Sequence, residues 1–228
     1  MGDYIIRTKF VPPGFNKKYW KKTKLLEKYR LIADYPVTVI KAGPGYGKST
    51  TIAAFFRSRD DYYWYNADEM DADPAVFLLN VFSAFRWHNE ALAEEAVEAL
   101  TDKPENSPDF VWVINSFINH LALSLEKDTY LVIDDFHLVA SNKQIMDLLA
   151  HFIKMMPAQL HLILSTRENL GFKEWAAWRL KRIVLVIDEK DLMLDCEEII
   201  SFFEEQYEIT ISSEEAETVR SESEGRII

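Results

Sequence analysis

The sequence predicts an α/β fold, a parallel β-sheet covered by helices on both faces and followed by a small helical C-terminal segment. Three observations predict it. Short apolar runs of strand length alternate with stretches of helical periodicity between Val37 and Ile187, the signature of strands joined by crossover helices. The runs are almost continuously apolar, as in Leu131-Val132-Ile133 and Leu162-Ile163-Leu164, which suits strands buried on both sides. One run, Val37–Lys41, leads straight into the glycine-rich stretch Ala42–Thr50, a loop built to join a strand to a helix around an anion.

The elements follow in order. Residues 1–35 are an N-terminal segment and helix. Ile5–Gly14 is extended and carries Pro12 and Pro13, and Leu25, Leu26, Tyr29 and Ile32 then share one face of a helix over Trp20–Asp34. Pro36 stops that helix and opens the core, residues 36–190. Its strands are Val37–Lys41, Tyr62–Asn66, Thr129–Ile133, Gln159–Ser165 and Ile183–Ile187. Its helices are Lys48–Arg57, Ala75–Trp87 (announced by Asp71 or Asp73 with Pro74), Glu90–Leu100, Asp109–Leu125, Lys143–Met156 and a short one near Phe172–Leu180. Residues 191–228 turn helical and acidic, with capping boxes expected at Asp195/Glu198 and Ser212/Glu215. The chain stops at Arg226–Ile228 with no helix-ending signal, which reads as a fragment of something longer.

Composition narrows the function. A formal net charge of -11 argues against direct nucleic-acid binding, because phosphate neutralisation needs a basic face. The basic cluster Lys17, Lys18, Lys21, Lys22 and Lys24 reads as a solvated helix face. The single cysteine, Cys196, leaves no intrachain disulfide and reads as a small buried apolar residue. No signal peptide or membrane span is present, so the expected location is cytoplasmic.

Three pieces carry chemistry. The run Ala42-Gly43-Pro44-Gly45-Tyr46-Gly47-Lys48-Ser49-Thr50 is a phosphate-binding loop (P-loop), with alanine at the first glycine position of the strict form. Its glycines let backbone N–H groups curl around phosphate oxygens, and the next helix points its positive end at them. Lys48 reaches the β- and γ-phosphates, and the Ser49 hydroxyl can ligate Mg²⁺. The second piece, Tyr130–Phe136, is a buried strand ending in two acids. Asp134 would hold magnesium through water, and Asp135 would orient or deprotonate the attacking water. The third is Leu162–Arg167, where Arg167 could sense the γ-phosphate charge at the carboxyl end of another strand. With room for a strand between the loop strand and the acidic strand, these pieces specify the three-layer sandwich of the P-loop NTPases, ASCE-type. Asp68 and Glu69 read as helix-capping or surface residues, and His137 as packing beside the acid pair. The histidines lack ligand spacing, so no metal beyond magnesium is expected.

On these motifs the chain resembles the nucleotide-binding domain of the signal-transduction ATPases with numerous domains (STAND), in the MalT-like branch of the large LuxR-type transcriptional regulators. The resemblance runs from Ile6–Phe10 through Ala42–Thr50, Trp64–Glu69, Leu131–His137 and Leu164–Arg167 to Ser223–Arg226. At the last of these the family usually has tryptophan after the glycine, and Arg226 departs from it. The resemblance implies ATP and ADP as ligands, slow regulatory hydrolysis, and a base packed on Phe10, Val11 and Pro12. It also implies an ADP-bound closed form, an open self-associating form favoured by ATP and inducer, and contacts with inducer and DNA through domains outside this chain. Two other readings stay open. One is an ATPase of another class, such as an AAA-type motor, which needs a trans arginine finger and a second sensor that the sequence does not identify. The other is a scaffold that binds nucleotide without turnover.

Overall fold

A computed structural model describes residues 5–14, 22–89, 92–101 and 109–226. Five strands, β1 (Val37–Lys41), β2 (Tyr62–Asn66), β3 (Thr129–Asp134), β4 (Leu160–Thr166) and β5 (Val184–Ile187), form one sheet. The order is β2-β3-β4-β1-β5, and every pairing is parallel. β4 therefore separates the loop strand β1 from the acidic strand β3, as the sequence predicts. In register, Lys41 stands beside Thr166, and Asp134 beside Asn66, so the polar strand ends share one edge.

Alternate residues of each strand enter two separate cores, as the two-residue pleat requires. Val39, Leu131, Ile133, Leu162 and Leu164 pack into one cluster with Phe82 and Phe85 of α3 (Pro74–His88), Phe117 of α5 (Phe110–Ser124) and Phe152 of α6 (Lys143–Met155). Ile40, Trp64, Val132 and Ile163 face the other way, onto Tyr29 of α1 (Thr23–Arg30) and Ile52 and Phe56 of α2 (Lys48–Phe56). This is the predicted three-layer sandwich. α4 (Glu94–Thr101) adds Ala96 and Val97 to the first cluster, and α7 (Trp175–Leu180) leads into β5.

After β5 comes the single turn α8 (Glu189–Leu192), then α9 (Cys196–Tyr207) and α10 (Ser213–Ser223). The last two share a small core of their own around Leu194, Ile199 and Ala216. Both expected capping boxes form, Asp195 with Glu198 and Ser212 with Glu215.

Several expectations are corrected. α1 begins at Thr23, because Lys22 is extended (φ -75°, ψ 92°). Trp20, Lys17, Lys18 and Lys21 lie outside the described residues. Lys22 does not face solvent: it is 2% exposed, and its Nζ donates to the carbonyl of Met193 at 2.5 Å. Lys24 pairs with Asp195, and Lys28 with Asp191 at 2.5 Å. Lys22, Lys24 and Lys28 thus fasten α1 to the linker around α8. Cys196, expected in a core, is half-buried and donates its thiol to Glu217 Oε2 at 2.8 Å; that carboxylate holds the thiol pKa above its usual value. α10 does have a stop signal, since Glu224 (φ 52°) and Gly225 (φ 68°) turn left-handed behind it.

The N-terminal segment is fastened too. A three-ten turn over Arg7–Phe10 brings Lys9 Nζ to Asp71 at 2.5 and 2.6 Å and to Asp68 at 2.7 Å. Asp71 is buried, and it also accepts from Tyr65 Oη at 2.8 Å, Asn80 Nδ2 at 2.9 Å and the Asp68 amide at 3.0 Å. Lys9 neutralises that carboxylate, and removing one partner of a buried pair costs about 3–5 kcal/mol. Lys9→Met is therefore expected to lower unfolding stability by about 3 kcal/mol in urea titration, because three neutral donors remain. A loss under about 1 kcal/mol would mean that those donors suffice alone.

Candidate functional site

The loop Ala42–Gly47 leaves β1 and hands the chain to α2. Gly47 caps the helix in the left-handed region (φ 73°) and Gly45 precedes it at φ 82°. A side chain is disfavoured at both positions, which is why the sequence carries glycine there. Lys48, at the first turn of α2, is buried, and its Nζ donates across the loop to the carbonyls of Ala42 at 2.8 Å and Gly43 at 3.0 Å. Behind it, Thr51 Oγ1 donates to the Lys48 carbonyl at 3.0 Å and meets Tyr29 Oη at 2.7 Å, tying α2 to α1. Ser49 is half-buried at the loop mouth and Thr50 is exposed.

Burial lowers the pKa of Lys48, and Asp135, Asp134 and Glu189 pull it back up while Arg167 pushes it down. These four groups, from β3, β4 and α8, therefore act on the same ammonium. Sequence reading named three of them together; Glu189 it missed.

Asp134 ends β3 at 4% exposure, and its Oδ1 accepts the amide of Asp135 at 3.0 Å. That bond fixes one acid and bends the chain, so Asp135 takes a left-handed backbone (φ 51°) with a more open side chain. Aspartate tolerates this conformation better than most residues. The two acids thus diverge, one buried and one facing the crevice. His137 follows in a three-ten turn, and its buried Nδ1 stands 3.8 Å from Asp135 Oδ1 with no hydrogen bond among the described residues. Burial lowers its pKa, against the opposing pull of Asp135, so the ring is neutral at pH 7. It lies beside Asp135 without hydrogen-bonding to it, as a packed neighbour of the acid pair would.

At the end of β4 the Thr166 hydroxyl donates to the Glu168 carbonyl at 3.1 Å and accepts the Glu168 amide at 3.2 Å, turning the chain at Arg167. Arg167 is exposed. Asp68 caps the three-ten turn Glu69–Ala72 in a box with Asp71, and Glu69 is exposed, which agrees with the capping and surface roles expected of them.

The Phe10–Pro12 segment lies against the end of β2, held by Asn66 Nδ2 donating to the carbonyls of Lys9 at 3.1 Å and Val11 at 2.9 Å. The expectation for Phe10 needs correction. Its ring is 2% exposed within the first core, so Val11, which is exposed, and Pro12, which is half-buried, are the surface this segment presents.

Two residues with no motif also touch the loop. Glu189 Oε1 accepts the Gly43 amide at 3.0 Å. Arg226 lies over the Tyr46 ring, 5.1 Å from its centroid. Chain separation hides both. The only sequence signal was the departure at Arg226. Among the described residues no group of three His, Cys, Asp or Glu side chains could hold a metal by itself. A cation here would share Ser49 and Asp134 with phosphate oxygens, and oxygen donors of this kind suit Mg²⁺. No helix among the described residues is long and apolar enough to cross a membrane.

No family model matches the chain. Among curated proteins, it is 27% identical over 209 residues to the HTH-type transcriptional regulator MalT of Yersinia enterocolitica, covering 90% of this chain and 22% of that protein. The MalT regulator of Serratia proteamaculans matches with the same identity and coverage. That of Yersinia pestis is 28% identical over 188 residues, 80% of this chain and 20% of its own length. The chain thus spans about a fifth of the length of these relatives. Among solved structures, a STAND protein with a tetratricopeptide repeat sensor from Pyrococcus horikoshii superposes with a TM-score of 0.60 at 18% identity, over 95% of this chain and 29% of that one. A Walker-type ATPase of Pyrococcus abyssi gives 0.55 at 14% identity, over 88% and 62%. At these identities the structural likeness speaks for the fold. The chain is MalT-like in sequence and has the fold of a P-loop ATPase domain.

Glu189 places a carboxylate beside a loop suited to anions, so Glu189→Gln should keep the contact to Gly43 and remove a repulsion. Allowing for solvent screening, ATP affinity should rise about threefold, read by titration with a fluorescent ATP analogue. Unchanged or weaker binding would assign Glu189 a purely structural role.

Proposed function

We propose that this chain is an ATP-binding, slowly hydrolysing switch domain of a MalT-like regulator. The observation that carries the reading is the convergence on Lys48 of Asp134, Asp135 and Arg167 from two other strands. The amides of Gly45, Tyr46, Gly47, Lys48, Ser49 and Thr50 cradle the phosphates, with Gly43 and Pro44 shaping the approach. Lys48 exchanges its two carbonyl partners for β- and γ-phosphate oxygens. That exchange is favourable because a buried ammonium gains more from an anion than from neutral acceptors. Ser49 and Asp134 would hold Mg²⁺, which when bound neutralises charge on the phosphate oxygens.

Asp135 is the residue that orients the attacking water and takes its proton. Its open carboxylate, turned away from Asp134, leaves room for that water, and the neutral His137 beside it adds no competing positive charge. Arg167, exposed at the end of β4, senses the γ-phosphate. Val11 and Pro12 offer the adenine an apolar edge, and Phe10 supports them from the core. Such a domain acts as a switch only if ATP and ADP differ in affinity between two conformations. On this reading ADP favours a closed form and ATP an open, self-associating one. Inducer and DNA are engaged by other parts of the regulator.

Replacing Lys48 and Asp135 separately tests the assignment. Lys48→Ala should weaken ATP binding by at least about 100-fold, the loss of charge-assisted bonds to two phosphates. Asp135→Ala should keep ATP affinity within about threefold and lower turnover by about 100-fold or more. Equal loss of binding and hydrolysis in Asp135→Ala would show that it is not the base. ATP binding with no turnover above buffer by the unaltered chain would favour a nucleotide-binding scaffold.

A further inference from the structure

After the C-terminal helix pair the chain closes back onto the linker that precedes α9. Behind α10 the chain turns through Glu224 and Gly225, and the Gly225 carbonyl accepts the Leu194 amide at 2.9 Å. The approach is close: a Cβ on Gly225 would stand 3.1 Å from the Leu194 oxygen, 3.2 Å from its nitrogen and 3.2 Å from Met193 Cβ. Only glycine fits there, with its φ of 68°. This contact delivers Arg226 to the phosphate-binding loop. Its guanidinium lies over Tyr46, which is buried at 5% exposure, and its Cδ is 3.9 Å from where a Gly45 Cβ would stand. Its other partner is the exposed carboxylate of Glu224.

We infer that Arg226 is a polyphosphate-binding residue that the C-terminal helix pair supplies to the loop, so that nucleotide binding and seating of α9 and α10 are one linked equilibrium. The inference rests on reading Ala42–Thr50 as the nucleotide site. Three physical points support it. Lys48 is the loop's one charged side chain, so a second cation at Gly45 and Tyr46 adds to the field on the phosphates. A planar guanidinium with several donors matches phosphate oxygens better than an ammonium does. The exposed pairing with Glu224 is a weak competitor, since surface ion pairs contribute little, whereas the Tyr46 ring holds the guanidinium over the loop. Linkage then works both ways. If the nucleotide prefers the seated pair, it tightens the seating by the same factor.

The test compares the unaltered chain with Arg226→Ala, Arg226→Lys and Gly225→Ala. ATP affinity is read by fluorescence titration, and amide hydrogen exchange of α9 and α10 is read with and without ATP. Loss of one charge-assisted contact predicts that Arg226→Ala weakens ATP binding about tenfold, with Arg226→Lys in between. Gly225→Ala, which unseats the knuckle without touching the arginine, should weaken it as well. ATP should slow exchange in α9 and α10 of the unaltered chain and lose that effect in Arg226→Ala. Unchanged affinity and exchange in both Arg226→Ala and Gly225→Ala, with Lys48→Ala abolishing binding, overturns the inference and leaves the loop reading intact. Binding that survives Lys48→Ala overturns the loop reading itself.

Discussion

Everything at the site depends on all five strands running parallel, which brings their carboxyl ends to one edge of the sheet. Each strand there gives up its backbone pairing and releases a loop, so functional groups from distant parts of the chain can meet without a long excursion. The strand order decides which groups meet. With β4 inserted between β1 and β3, the acids at the end of β3 and Arg167 just past β4 both come near enough to act on the Lys48 ammonium. The two cores serve this geometry. The sheet is locked on both faces by large buried side chains such as Trp64, Phe56, Phe82 and Phe117, and close packing of that kind resists the small shifts that would misplace a phosphate ligand.

Lysines fasten the N-terminal segment and the linker before α9 to this frame. Lys9 holds the N-terminal segment to Asp71, and Lys22, Lys24 and Lys28 hold α1 to the linker that leads into α9. The two attachments differ in strength. Lys9 and Asp71 are largely withdrawn from water, so their pairing is expensive to break. The Lys24 and Lys28 pairs stay partly wet, and contacts of that kind contribute little individually. The N-terminal segment is thus held firmly at the end of β2, while α9 and α10, with their small separate core, follow a linker fastened by one buried lysine, Lys22, and two partly wet ones.

The parts of the fold legible in the sequence were those written in local pattern. Apolar runs gave the strands, and Gly47-Lys48 gave the junction between β1 and α2. Asp195 and Ser212, each three residues before a glutamate, gave two helix starts. Patterns of that sort depend on neighbours in the chain. What stayed illegible was decided by distant partners. Lys22 looks solvated in sequence because nothing nearby shows that the Met193 carbonyl, 171 residues on, will bury it. Phe10 was read as a base contact because it belongs to a family segment, yet a phenylalanine gains most by entering a core, and one was within reach. Glu189 and Arg226 carry no motif, and only the path of the chain after β5 brings them to the loop.

Charge around the loop shows how a net-acidic chain could keep the proposed phosphate site. The ammonium of Lys48 is buried, which alone would favour its neutral form. Asp135, Asp134 and Glu189 oppose that lowering, and Arg167 adds to it. Acids near a phosphate site are usually costs, since they repel the ligand. Here they also oppose the loss of charge from Lys48. The balance between the two effects depends on where each carboxylate points. Asp134 is tied to the Asp135 amide and Glu189 to the Gly43 amide, so each spends part of its charge on a backbone donor. Of the positive side chains, Lys48 has two neutral carbonyls, and Arg226 has an aromatic face and a solvated carboxylate. On the proposed reading, an arriving polyphosphate meets two acids already bonded to backbone amides and cations that gain by exchanging partners.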